Sequence, residues 1–324
     1  LKALDPARDR LLLAYPTFYA TSPSVYGPAW LLLSMPGTLG PHDVVGGLFY
    51  LKGLAFVAYL GCAGLLEHIL SRRGSGTDHR LGSGRAAESL YLFAWNPLVL
   101  LMAVGDGHND ILMMAAVLLA VWFLVQESWT LALGTLVLSA WIKYVSAICL
   151  PLFVVHFGCQ ASQEHGRSMW LAMVRGGLVA VVVSILVLLP FGRVEWGVGL
   201  VGRLMHPLNW SGSGAGPWGV LGNLSARSMI VGLLVFVVAY VLLVRRLLRR
   251  GTLQDLLDAS FLASFLVFLL GAARSQPWHL IWPTALAGLS QRRWAWPAII
   301  GLSAVMLVSQ VWVEWGAPGL GISP

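Results

Sequence analysis

Charge is what this sequence has least of. Of 324 residues, 21 are Lys or Arg and 14 are Asp or Glu, which makes 11% charged against 57% hydrophobic. Soluble domains carry about 25% charged residues, and a mean hydropathy of +0.75 exceeds what one buried core in water requires. The scarcity excludes a soluble globular enzyme and points to an integral membrane protein in a lipid bilayer. Cysteine is also sparse: Cys62, Cys149 and Cys159 lie in or beside apolar runs, without the spacing of a disulfide framework or a zinc site. No His/Cys/Asp/Glu cluster has metal-ligand spacing, so neither a metal nor another cofactor is expected. The net charge of +7 is scattered between apolar segments, which argues against a nucleic-acid partner. The opening segment LKALDPARDR lacks a start methionine and a signal-peptide core. The expectation is a chain shortened at its N-terminus.

What is present is a series of apolar segments. A hydrocarbon core about 30 Å thick needs about 20 apolar residues per helix. Ten segments can be marked: 46–70, 87–104, 110–125, 129–142, 145–157, 169–189, 229–244, 256–271, 280–289 and 295–313. An eleventh stretch, 30–39, is short and broken by Pro36 and Gly37, which suits an interfacial helix. The expected fold is therefore all-α, a polytopic membrane helical bundle of about ten transmembrane helices plus interfacial helices. Residues 1–45 form an outer loop with the interfacial helix, and residues 46–324 form the transmembrane domain, with a long outer loop at 191–228.

Cations near short loops stay on the cytoplasmic side. Alternating the loops places Arg72, Arg73, Arg245, Arg246, Arg249, Arg250, Arg292 and Arg293 on one face, in pairs beside helix ends. That face reads as cytoplasmic. Lys143 and Arg274 fall on the opposite, outer face, with Lys52 left inside a helix. Cations held there against the orientation rule need another reason, and an anionic ligand is one.

The most informative run is Trp95-Asn96-Pro97 followed by Gly105-Asp106-Gly107-His108-Asn109-Asp110, with apolar sequence on both sides. Placing a carboxylate at the bilayer centre costs roughly 2.5–3.5 kcal/mol, so these acids should face water or a ligand. The plainer alternative is a tight interhelical turn bent at its glycines and capped by Asn109 or Asp110. Lys143 ends a short apolar helix, where it can snorkel to headgroups or meet a phosphate as a compact charge. Arg274, in GAARSQPWHLIWP, can take two phosphate oxygens at once, with Trp278 and His279 beside it. A cation would neutralise a phosphate leaving group, and an acid would accept the proton of an attacking hydroxyl.

These runs resemble a known family. SPSVYGPAWLLLS (with Tyr26), YLFAWNPLVLLMAVGDGHNDILM, the lysine of WIKYVSAICLP and RSQPWHLIWP are similar, in order along nearly the whole chain, to the bacterial GT-C glycosyltransferases that use polyprenyl-phosphate sugars. The greatest similarity is to the actinobacterial polyprenyl-phosphate-mannose-dependent α-(1→6)-mannosyltransferases. The resemblance implies a GT-C-like multi-helix enzyme of the bacterial inner membrane with its active site facing outside. It would transfer a hexose, mannose above all, from a polyprenyl-phosphate donor to an envelope glycan or glycolipid, with inversion. A transporter or flippase of lipid-linked sugars is the alternative, although Lys52, Glu67 and Glu88 are too few to outline a polar path. The implied base is a first-outer-loop aspartate, expected upstream of Leu1, with Asp106 and Asp110 as the catalytic candidates inside this sequence. Expected substrate-binding residues are Tyr26, Asn96, His108, Asn109, Lys143, Arg274, Gln276, Trp278 and His279. The sequence departs from the family pattern at His279, where tyrosine is common, and at Met102, where an acid often stands.

Overall fold

The computed structural model describes residues 26–38, 44–73, 79–165, 169–191, 226–270 and 276–311. Arg274, the first 25 residues and nearly all of the expected loop at 191–228 lie outside the described residues. Among those described there is no strand. The helices are α1 (Pro28–Ser34), α2 (Val44–Arg73), α3 (His79–Ala94), α4 (Pro97–Val99), α5 (Asp110–Val125), α6 (Trp129–Ile142), α7 (Leu150–His165), α8 (Met169–Leu188), α9 (Ala226–Arg250), α10 (Leu253–Leu270), α11 (Ile281–Ala287) and α12 (Ala295–Val311). The chain is an all-α polytopic membrane bundle, as its composition requires.

Five helices are long and apolar enough to cross a membrane, and six if the bent pair 86–94 and 97–105 is one span. The remaining expected segments form helices that are too short. Helix α5 has 16 residues and α6 has 14, so they rise about 24 and 21 Å against a hydrocarbon core of about 30 Å. Helix α11 has only seven residues. Short helices placed inside a bundle can hold polar groups below the membrane surface, screened from lipid by their longer neighbours.

The long helices divide by what they face. Helix α9 turns Ile230, Leu233, Leu234 and Val238 outward, and α8 does the same with Leu178, Ile185 and Leu186. Only 6% of the α9 span is buried, whereas 61% of the α10 span is. The exposed apolar faces are the lipid-facing surface, and α10 lies in the interior with α5, whose residues from Ile111 to Val125 are all apolar. Phe93, Phe153, Phe261 and Phe268 are fully enclosed.

Lipid tails are as apolar as leucine, so helix association rests on close packing and a few polar contacts, worth about 0.6 kcal/mol each on average. Such contacts recur here. The Ser139 hydroxyl of α6 donates to the Met113 carbonyl of α5 at 2.9 Å, and Trp141 Nε1 donates to Ser184 Oγ of α8 at 2.8 Å. Tyr240 of α9 donates to the Ile148 carbonyl at 2.6 Å. The α5–α6 hairpin turns at Glu127, whose φ is +58°, and Ser128 N–H closes the turn on the Phe123 carbonyl.

Two charged clusters sit at opposite ends of this framework. At one end Asp255 pairs with Arg246 at 2.9 Å, and Asp258 accepts from Ser290 Oγ, Gln291 N–H and Gln254 Nε2. The other end gathers the residues singled out in the sequence.

Candidate active site

The approach to the site is built by Asn96 and Pro97. Asn96 caps α4, its Oδ1 accepting from Leu98 and Val99 N–H at 3.0 and 3.3 Å, and Pro97 supplies the preset φ of a first helical residue. The Asn96 amide also donates to Ser303 Oγ of α12 at 3.1 Å. Its side chain is thus spent on helix geometry. The chain then widens into a π-helical turn over Leu100–Gly105, in which Asp106 N–H reaches the Leu101 carbonyl at 2.8 Å and His108 N–H the Met102 carbonyl at 3.0 Å. Such turns are rare and concentrate at functional sites. Here the widening ends α4 one turn before α5 begins and leaves Asp106–Asn109 as the rim between them. Gly107 takes φ +75°, a conformation that costs glycine nothing.

Asp110, at the first position of α5, is fully buried. Both of its oxygens accept from Lys143 Nζ at 2.8 Å, and Oδ1 also accepts from the indole N–H of Trp282 on α11. Lys143 arrives from the end of α6, where an extended residue breaks the helix before a 3-10 turn over Tyr144–Cys149. Its ammonium lies 5.7 Å from the Trp282 ring and 6.0 Å from the Tyr26 ring, within range of a cation–π attraction. Three elements therefore converge on one carboxylate. The pair is strong but costly to desolvate, and what it secures is the direction of the Lys143 ammonium.

The YGP run accounts for Tyr26. Gly27 N–H donates to the Ile142 carbonyl at 3.2 Å, and a Cβ at Gly27 would fall 1.9 Å from the Trp141 carbonyl oxygen. Only glycine lets this segment lie against the end of α6, and Pro28 then starts α1.

On the open side, His108 stacks on Trp278 with ring centroids 4.1 Å apart and planes 19° apart. Burial lowers the pKa of His108, outweighing the opposite pull of Asp110 and Asp106, while Lys143 adds to the lowering. The ring is a neutral flat face at pH 7. His279 lies 4.5 Å from the Trp282 ring; burial pushes its pKa down to about 4. Its Nδ1 accepts from Gln276 N–H at 3.1 Å, and the two residues form a reciprocal cap on the 3-10 turn Pro277–Leu280. Gln276 and His279 thereby set the position of Trp278. Asn109 is buried with its Nδ2 unpartnered. Asp106 is exposed, and no described residue is hydrogen-bonded to its carboxylate.

Of the expected residues, the structure brings together Asp106, His108, Asn109, Asp110, Lys143, Tyr26, Gln276, Trp278 and His279. Asn96 sits on the far side of α4 and the π-helical turn from that rim, as a cap. Two members were not read as site residues in the sequence. Trp282 lies in an apolar run, where tryptophan reads as core or membrane belt. Lys52 of α2 reaches in to donate to the Gly105 carbonyl. Among the described residues no group of three or more His, Cys, Asp or Glu is arranged to hold a metal ion. The chemistry available is a fixed cation, a free carboxylate and a flat aromatic face around one rim, which suits an anionic ligand with a ring-shaped polar part.

Fold and site together define a polytopic helical membrane protein with a polar site at one end of its bundle. Residues 4–159 match the family model of the alpha-(1->6)-mannopyranosyltransferase N-terminal domain, a stretch that ends just after the site's α5, α6 and Lys143. The chain is 25% identical over 302 residues to alpha-(1->6)-mannopyranosyltransferase A of Mycobacterium tuberculosis, an alignment covering 87% of this chain and 56% of that protein. Both similarities point the same way as the resemblance read from the sequence. The chain spans about half the length of the curated relative it matches.

Proposed function

We propose that this protein is a membrane glycosyltransferase that moves a hexose, mannose, from a polyprenyl-phosphate donor to an envelope glycan or glycolipid, with inversion, on the outer face of the bacterial inner membrane. The observation that carries the reading is the anchoring of Lys143 by Asp110 and Trp282 beside the stacked His108–Trp278 pair and the exposed Asp106, whose carboxylate has no hydrogen bond to any described residue. Lys143 meets the phosphate that becomes the leaving group, using the N–H that Asp110 leaves open. The His108–Trp278 face lies against the sugar ring, as flat aromatic groups do with the C–H surface of a hexose.

In the transfer step an acceptor hydroxyl oxygen bonds to the anomeric carbon as the bond from that carbon to the phosphate oxygen breaks. The electron pair leaves on polyprenyl phosphate, and the hydroxyl proton passes to a carboxylate. A single displacement inverts the anomeric centre. Of the two candidate carboxylates, Asp110 has three hydrogen bonds and no exposure, whereas Asp106 is open. Asp106 therefore takes the proton, and Asp110 positions Lys143.

The test is sugar transfer in membranes supplied with polyprenyl-phosphate mannose and a glycan acceptor. Asp106→Asn should insert normally and lose kcat by about 10²–10⁴-fold, the scale of a missing general base. If the first-loop aspartate implied by the resemblance is the base instead, Asp106→Asn will raise KM and spare kcat. Movement of the lipid-linked sugar across the bilayer without cleavage from phosphate would establish the flippase alternative.

A further inference from the structure

Lys52 is the only charged residue between Val44 and Leu66. It lies eight residues into α2, about 12 Å along the helix axis from Val44, at a depth where a lysine is costly unless something repays it. Its side chain is half-buried. The ammonium donates to the Gly105 carbonyl, the last residue of the π-helical turn and the neighbour of Asp106. The lysine stem and α2 backbone lie flush against the rim: a Cβ on Gly107 would be 3.1 Å from Lys52 Cγ and 3.5 Å from its Cα.

The two lysines of the site differ in one decisive respect. Lys143 is neutralised by both oxygens of Asp110. None of the ion pairs among the described residues involves Lys52, and its one acceptor is a neutral carbonyl. An ammonium offers three donors, so two N–H groups and a full positive charge remain beside the rim. A clamp for one carbonyl could be made by a neutral amide at much smaller cost. The charge itself calls for an anion.

Resting on the glycosyltransferase reading, we propose that Lys52 is a second phosphate-binding cation of the donor site, holding the polyprenyl phosphate from the α2 side while Lys143 holds it from the α6 side. Both the donor and the released polyprenyl phosphate carry the anion that it recognises. Two cations on one phosphate stabilise the charge that builds as the sugar leaves.

The experiment uses the full-length protein in nanodiscs. Lys52→Gln keeps a donor for the Gly105 carbonyl and removes the charge; Lys52→Arg keeps both. Donor KM is measured with inhibition by a polyprenyl monophosphate and by the matching uncharged polyprenol. For Lys52→Gln, donor KM and the inhibition constant of the monophosphate should rise together by about tenfold or more, the scale of a charge-assisted hydrogen bond. Inhibition by polyprenol should not change, and Lys52→Arg should recover most of the loss. Unchanged KM and inhibition constants in Lys52→Gln would overturn the proposal. So would equal weakening of polyprenol, which marks a structural clamp, or a shift seen only in phosphatidylglycerol nanodiscs, which marks a phospholipid headgroup contact. Should Lys52→Gln fail to fold, Lys52→Arg must bind the monophosphate like the parent protein, and weakened binding there would overturn it. Lack of transfer by the parent protein would defeat the functional reading alone; Lys52 would then be judged by monophosphate binding in native mass spectrometry.

Discussion

Replacing Asp110 by asparagine separates the structural and chemical parts of the site. The carboxylate is fully buried and holds Lys143 through two contacts of 2.8 Å, with Lys143 itself only 17% exposed. Trp282 donates to the same oxygen that Lys143 shares. Asparagine keeps one acceptor but turns an NH₂ toward an ammonium that has lost its counter-charge. Removing one partner of a buried ion pair costs about 3–5 kcal/mol, so the purified variant should show a clear fall in apparent melting temperature in detergent, and transfer should fall with it. The double variant Asp110→Leu/Lys143→Met takes away both charges and leaves apolar groups of similar size. Its melting temperature should return most of the way to that of the parent, because well-packed apolar replacements of buried pairs are often neutral or stabilising. Transfer should remain lost, because the phosphate then lacks the cation that Asp110 holds in place. A coupling energy near zero in the cycle completed by the single variants Asp110→Leu and Lys143→Met, or full transfer in the double variant, would refute the reasoning: the first would show that the pair is not formed, the second that Lys143 is not needed.

Three further outcomes follow from the same geometry. Gly27→Ala should lower stability by about 1–3 kcal/mol and raise donor KM, because its Cβ would collide with the Trp141 carbonyl and push Tyr26 from Lys143; an unchanged melting temperature would contradict the close approach. His279 has its pKa pushed down to about 4 by burial, so between pH 6.5 and 4 the unfolded chain binds more protons than the folded one. Stability should be complete above pH 6.5 and decline as pH falls through 4, and thermal melts of His279→Asn should show a flatter profile across that window. Asp258→Ala should destabilise by about 1–3 kcal/mol, since it strips acceptors from Ser290, Gln254 and Gln291, while donor KM stays as in the parent; a large KM change would tie the two charged ends together.

Much of the site was legible because polar residues are conspicuous against an apolar background. Asp106, His108 and Asp110 stand in five residues between two hydrophobic helices, and insertion cost alone marks them. Lys143 stood out in the same way. The part played by Asn96 was also readable in principle, since Asn followed by Pro is a helix start; taken as a substrate ligand in the sequence, it is engaged on both sides by cap and Ser303 contacts. Trp282 was not legible, because an indole N–H shows its purpose only when a carboxylate is seen beneath it. Lys52 was set aside as a residue within a span, since its meaning depends on the packing of α2 against a turn more than 50 residues away. The short spans of α5, α6 and α11 were visible as lengths. Their consequence, a recessed polar site enclosed by longer helices, appears only in the assembled bundle.

The central claim is that the Asp110–Lys143 end of the bundle holds the phosphate of a polyprenyl carrier. The most direct measurement is a cryo-EM structure of the full-length protein with a polyprenyl monophosphate bound. The account predicts phosphate oxygens at hydrogen-bond distance, about 2.7–2.9 Å, from the Lys143 ammonium, with the chain leaving between helices toward lipid. A phosphate seated instead on the arginines around Arg246 and Arg250, with nothing beside Lys143, would contradict it.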